Sequence, residues 1–188
     1  MKKGWIVALV VVAVVLVFAG WYINGLNSIV RLDETVSESW AQIDTQLQRR
    51  ADLIPNLVNS VKGYAKHEKA LFENIAESRA KLAGAKSVSE KIDAAKQLEG
   101  FMSRLLMVVE NYPVLKADVN FRALMDELAG TENRINVARV RYNRDVRAFN
   151  TYIREVFGSF FARRKGLTQQ RPYFEIEEKD KQVPKVDM

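Results

Sequence analysis

Two hydrophobic patterns divide the chain. From Gly4 to Val30, 27 consecutive positions carry no formal charge, and the run GWIVALVVVAVVLVFAGWYI is apolar nearly throughout. From Arg31 onward apolar residues return every three or four positions. Trp40, Ile43, Leu47, Ala51, Ile54, Val58, Val61 and Ala65 fall within about 40° of one line on a helical wheel. The first pattern predicts a helix apolar on all sides, the second an amphipathic helix with one buried face.

A stretch of about 20 apolar residues crosses a ~30 Å hydrocarbon core as a helix. Trp5 stands at one end of the run and Trp21 with Tyr22 at the other, where amphipathic rings settle at membrane interfaces. A cleavable signal peptide is the rival reading, since Lys2 and Lys3 precede the run and VFA suits a peptidase. The apolar stretch continues past Ala19 without a polar break, which favours an uncleaved anchor. Lys2, Lys3 and the amino terminus outweigh Arg31 set beside Asp33, Glu34 and Glu38. That balance predicts an N-terminus in the cytoplasm and a domain outside it, and the expected location is the cell (inner) membrane, crossed once.

Between Arg31 and Gly166 the only prolines are Pro55 and Pro113, and no alternating strand pattern of useful length occurs. The first helix is expected to leave the membrane and continue to a break near His67. A second fits KALFENIAESRAKLAGAK, ending near Gly84. Ser87 with Glu90 three residues later has the capping-box form and starts a third, which runs to ENYP. Pro113 suits the first turn of a fourth, from roughly Leu115 to Phe157, where Leu124, Leu128, Ile135, Tyr142, Val146 and Ile153 keep one stripe. Gly130 within it costs only about 1 kcal/mol relative to alanine and need not break it. The expected fold is all-α: a transmembrane helix continuing into an antiparallel up-down four-helix bundle with long first and last helices. The expected division is an anchor at 1–30, a helical bundle at 31–158, and a membrane-proximal segment with a mobile tail at 159–188.

Composition narrows the chemistry. The 188 residues carry a formal net charge of +6, but acids are interleaved with the bases, so no nucleic-acid stripe forms. With no cysteine there is no disulfide, thiolate metal site or cysteine nucleophile. His67 is the only histidine, which excludes HExxH and the paired Glu-x-x-His of a di-iron bundle. Neither a glycine-rich phosphate loop nor a nucleophile elbow is present. Tyr142 with Asn143, and Asn150 with Tyr152, could line a pocket, although such residues at helical spacing more often hydrogen-bond between helices. The expectation is a non-enzyme without cofactor or metal.

One polar cluster interrupts the amphipathic pattern: QRRADLIPNLV, with Arg49, Arg50, Asp52 and Pro55 inside a helix that otherwise buries one face. If the first and last helices are antiparallel, residues 48–50 lie level with 130–132. Arg50 then sits at the edge of the apolar stripe opposite Glu132, also at a stripe edge. A half-buried Arg50–Glu132 pair would fix register, whatever its net stabilisation. Pro55 removes the hydrogen bond to the Ala51 carbonyl and should bend the helix. Arg49 and Asp52 point away from the core, leaving a surface for a partner. The cluster is therefore read as a packing joint, with an anion- or partner-binding site as the alternative.

A second cluster closes the periodic region. Phe157, Phe160 and Phe161 are followed at once by Arg163, Arg164 and Lys165, a combination suited to the lipid headgroup boundary. The alternative is that the three rings cap the helix core.

The blocks YINGLNSIV, SWAQIDTQLQRRADLIPNLVNSVKGYAKHE and YPVLKADVNFRALMDELAGTENRINVARVRYNRDVRAFNTYI together resemble the LemA family, over about Trp21 to Phe174. Many relatives have Asn-Pro where this chain has Tyr112-Pro113. The resemblance implies a bacterial protein with an N-terminal membrane helix and an antiparallel helical domain, in a family with no established catalytic activity. Some members of that family look like membrane-organising proteins and others occur beside membrane proteases. The expected role is a membrane-anchored, non-catalytic scaffold. It would form a homo-oligomer or bind another membrane protein, such as a protease. The alternative is a sensor of a small anionic ligand held between helices. Gly4 and Ala8 have the small-xxx-small spacing that permits close transmembrane contact.

Overall fold

The computed structural model describes residues 2–175, and its side chains from residue 4. Six α-helices and no strands occur among the described residues: α1 Lys2–Lys62, α2 Lys69–Gly84, α3 Val88–Val109, α4 Pro113–Ala117, α5 Val119–Tyr152 and α6 Val156–Lys165. Helix α1 contains the whole charge-free run, and every side chain from residue 4 to 21 is exposed. It is the one described helix long and apolar enough to cross a membrane.

Local chemistry sets the helix ends. At Ser87 both halves of the capping box close: its hydroxyl accepts from the Glu90 amide, and the Glu90 carboxylate accepts from the Ser87 amide. The same carboxylate also accepts from the Lys86 amide, and these backbone donors hold Glu90 below its ordinary pKa. Pro113 opens α4 at its first turn.

The fourth helix of the sequence reading is three helices. Asp118, with extended backbone, ends α4, and its carboxylate accepts from the Phe121 amide at 2.9 Å to cap α5. The break between α5 and α6 follows from Gly158. A Cβ there would lie 1.9 Å from the Tyr152 carbonyl oxygen, so only glycine lets α6 approach the end of α5 this closely. Gly130 lies inside α5 without interrupting it.

The chain divides into two compact units. The first comprises residues up to Ser39 with Tyr142–Tyr173. Its core includes Ile29, Val36, Tyr142, Val146, Phe149 and Phe161. Burying each such side chain is worth roughly 1.5–3 kcal/mol. An extended segment after α6 is tied down within this unit. Asn150 bonds the Arg171 backbone twice, donating to its carbonyl at 2.9 Å and accepting from its amide at 2.8 Å. The Tyr142 hydroxyl donates to the Pro172 carbonyl, and the Arg171 guanidinium reaches Asp33 at 2.5 Å. Burial pushes the Tyr142 phenol up to about 12, against a smaller opposing pull from Arg171.

The second unit comprises Trp40–Arg141 with the described residues from Phe174 onward. Helices α2 and α3 pack on each other, and Ile43, Leu47, Ile54, Leu57, Ile75, Leu98, Leu105 and Leu115 are among its buried residues. All but one residue of the stretch EIEEKDKQVPKVDM, expected to be a mobile tail, lies outside the described residues.

Candidate functional site

The QRRADLIPNLV cluster lies in the second unit, and α1 runs through it without a break. Proline has no amide hydrogen, so Pro55 leaves the Ala51 carbonyl without its helical donor. Arg79 of α2 supplies the missing bond: its Nε donates to the Ala51 oxygen at 2.9 Å. A buried carbonyl is thereby satisfied by a cation from a neighbouring helix. Arg79 Nη2 also stands 3.8 Å from Asp52 Oδ1, which accepts from Gln48 Nε2 at 3.0 Å.

Arg50 Nη1 lies 2.5 Å from Glu132 Oε2, with the arginine side chain 15% and the glutamate 33% exposed. The other Glu132 oxygen accepts from Asn136 Nδ2 at 3.1 Å, and Asn136 Oδ1 accepts from Arg139. Arg139 stacks over the Phe174 ring, 5.8 Å from its centroid, and Phe174 is buried. Arg50, Glu132, Arg139 and Phe174 surround a void of about 10 Å³ together with Leu47, Leu82 and Leu98, room for about one water. The ion pair thus belongs to a connected polar chain inside an apolar wall.

Arg49 and Asp52 remain largely exposed at the surface of the same unit. Arg49 carries a partner that the wheel did not foresee, Glu127, at 2.9 Å, with both side chains more than two-fifths exposed. A further tie missed by the sequence reading joins α3 to α1: Lys91 Nζ sits 2.5 Å and 2.6 Å from the two Asp44 oxygens. The signal that could have found Arg79 was Pro55 itself, because a helix carbonyl stripped of its donor calls for one from outside. For Lys91 no comparable signal exists in the sequence.

Between α1 and α5 in this unit runs an open groove of about 490 Å³, lined by Gln42, Thr45, Gln46, Asn133, Arg134, Val137, Ala138 and Arg141. The buried Gln46 Oε1 has no hydrogen-bond partner there among the described residues. His67 is exposed in the turn between α1 and α2. Among the described residues no group of three or more His, Asp or Glu stands close enough to hold a metal.

The aromatic–basic cluster lies in the first unit, where its three rings part ways. Phe161 is 2% exposed and packs on Trp21 and Tyr22 at 5.1 Å and 5.9 Å between centroids. Its ring lies where a Gly25 side chain would otherwise be, so it is a core residue and not an outward-facing one. Phe157 and Phe160 are exposed, as are Arg163, Arg164 and Lys165. Trp5, near the other end of the apolar run, is exposed too.

Two curated relatives are similar to this chain, the magnetosome proteins MamQ 2 and MamQ 1 of Paramagnetospirillum magneticum. Each is 25% identical over 179 residues, an alignment that takes in 80% of this chain and 66% of the relative. The chain therefore spans just under two thirds of the length of these relatives. The model of the LemA family matches residues 39–188, which takes in the polar cluster, the groove and α2 to α6. With four-fifths of its length matched, this all-α chain belongs to the LemA family.

Proposed function

We propose that this protein is a single-pass, membrane-anchored helical scaffold that assembles with copies of itself or with another membrane protein, and that it performs no catalysis. The observation that carries the reading is α1. One unbroken helix holds both the exposed apolar run and the stripe that packs the second unit. A domain joined to an anchor stays at the membrane, as a scaffold requires. Short connections on either side of α2 and α3 favour antiparallel neighbours within the bundle. The lysines before the run favour an N-terminus in the cytoplasm and a domain beyond the inner membrane. Arg49 and Asp52 supply the exposed charge of a partner-facing surface, and a membrane protease is one class of partner that surface could serve.

The groove favours a second reading, a sensor of a small anion. Arg134 and Arg141, whose guanidinium groups donate to anions, stand on its lining. Crosslinking of the full-length protein in native membranes, set against thermal shift with small anions, separates the two. Discrete crosslinked species without anion stabilisation support the scaffold. Stabilisation by one anion, with only monomer after crosslinking, overturns it.

A further inference from the structure

Helix α6 holds an arrangement that neither the anchor nor the polar cluster uses. Its N-terminal half exposes Val156 at 82%, Phe157 at 64% and Phe160 at 38%. Its buried face is Gly158, Phe161 and Ala162, and the exposed rings flank that face, Phe157 about 40° and Phe160 about 100° from Phe161 on the wheel. Exposed apolar residues of this size normally find a cover. The C-terminal half carries Arg163, Arg164 and Lys165, none with a carboxylate partner among the described residues.

What covers this face is set by where α6 is fixed. Phe157 meets Trp21 edge-on at 5.5 Å, and Phe160 meets Tyr22 at 6.4 Å. The Tyr152 hydroxyl, just before α6, donates to the Gly25 carbonyl at 3.2 Å. Trp21 and Tyr22 close the apolar run, where aromatic side chains mark the membrane–water boundary. The exposed rings of α6 are thus continuous with the exposed apolar surface of α1 at the level where lipid tails give way to headgroups. The cations follow within the same helix of about 15 Å.

We propose that α6 is an interfacial helix and forms a second membrane contact beside the anchor. Val156, Phe157 and Phe160 enter the acyl boundary, and Arg163, Arg164 and Lys165 bind the phosphates of anionic phospholipids. Phosphate attraction to clustered cations is electrostatic, so the contact strengthens on an anionic leaflet and weakens with salt. Arg164, stacked 5.6 Å from the Phe160 centroid, links the ring that enters lipid to the charge that stays outside it.

The absence of native cysteine allows clean nitroxide labelling of the full-length protein. Single variants Phe157→Cys, Asn133→Cys as an aqueous control and Val12→Cys as a lipid control are placed in nanodiscs of neutral phosphatidylcholine or of phosphatidylcholine with phosphatidylglycerol. Collisions with oxygen, which partitions into lipid, are compared with those of a water-soluble nickel chelate. At position 157 oxygen should dominate. Its preference should rise several-fold in anionic discs, and Arg163→Ala, Arg164→Ala and Lys165→Ala combined should abolish the rise. The proposal is overturned if position 157 behaves like position 133. It is equally overturned if position 157 is shielded from both reagents, as contact with a second copy would make it, or if lipid charge has no effect. The inference rests on α1 crossing the bilayer. A water-exposed label at position 12 would overturn both, whereas failure at 157 alone leaves the anchor standing.

Discussion

Arg79 donates from α2 to the carbonyl of Ala51, the one helical acceptor that Pro55 leaves without a partner. Proline is tolerated inside α1 because a cation on another helix completes the ladder, which ties α2 to α1 at a defined level. A backbone defect in one helix is thereby turned into an address for another.

The two residues should therefore depend on each other. Arg79→Ala strips a charged donor from a buried carbonyl and should cost about 1.5–3 kcal/mol. In a Pro55→Ala background the helix amide returns, and the same change should cost much less. Thermal or denaturant unfolding of the four proteins measures the coupling, and equal costs in both backgrounds would contradict the assignment.

The two arginine–glutamate pairs should behave differently. Arg49–Glu127 is solvent-exposed and should show a coupling of ~0.2–1 kcal/mol that salt reduces. Arg50–Glu132 is shielded and shares its carboxylate with Asn136, so its coupling should exceed that range and resist salt. Double-mutant cycles on both pairs, at low and high salt, give the comparison, with purely additive Arg50→Ala and Glu132→Ala as the contrary result.

How much of this was legible in the sequence depended on how local the physics was. The capping box at Ser87 and the start at Pro113 rest on residues within one turn, and both lie where the pattern put them. Wheel and level arguments brought Arg50 to Glu132 because two continuous stripes fixed both angle and height. The long last helix failed at Asp118 and at Gly158. An aspartate cap beside the strong apolar stripe of VNFRAL was outweighed by periodicity, and the need for glycine at 158 exists only once α6 meets the Tyr152 carbonyl. Phe161 could not be told from Phe157 and Phe160, since three rings in five positions leave open which one turns inward.

Gly158 gives a direct test of that turn. Gly158→Ala would place a methyl on the Tyr152 carbonyl, a backbone group that cannot swing aside, and should destabilise by roughly 1–3 kcal/mol. Gly130→Ala, where the nearest atom is the end of the Arg134 side chain at 3.8 Å, should be neutral or stabilising. Melting temperatures of the two variants should move in opposite directions or differ clearly.

Asn150 and Tyr142 hold the segment after α6. Asn150→Ala should greatly speed hydrogen exchange at the Arg171 amide, while Asn150→Asp, which keeps the accepting oxygen, should slow it again. The Tyr142 phenol is neutral in the fold and raised to about 12 from an ordinary value near 10. Its contribution to stability is thus fully present below about pH 10 and lost as pH rises through about 12. Ultraviolet titration should show one of the six tyrosines ionising last, and Tyr142→Phe should remove that component. The Tyr152 phenol is also raised by burial, so the titration is repeated in Tyr152→Phe.

The central claim is that the anchored helical domain exists to assemble. The most direct measurement is the particle mass and protein content of the full-length chain isolated by an affinity tag in native lipid discs, without detergent. The account predicts particles holding several copies of the 21.5 kDa chain, or this chain with a stoichiometric membrane protein. It also predicts that Arg49→Gln, which removes only an exposed ion pair, lowers that mass while the melting temperature stays near wild type. A single chain in every disc, at any expression level and with no partner in fixed ratio, would contradict it.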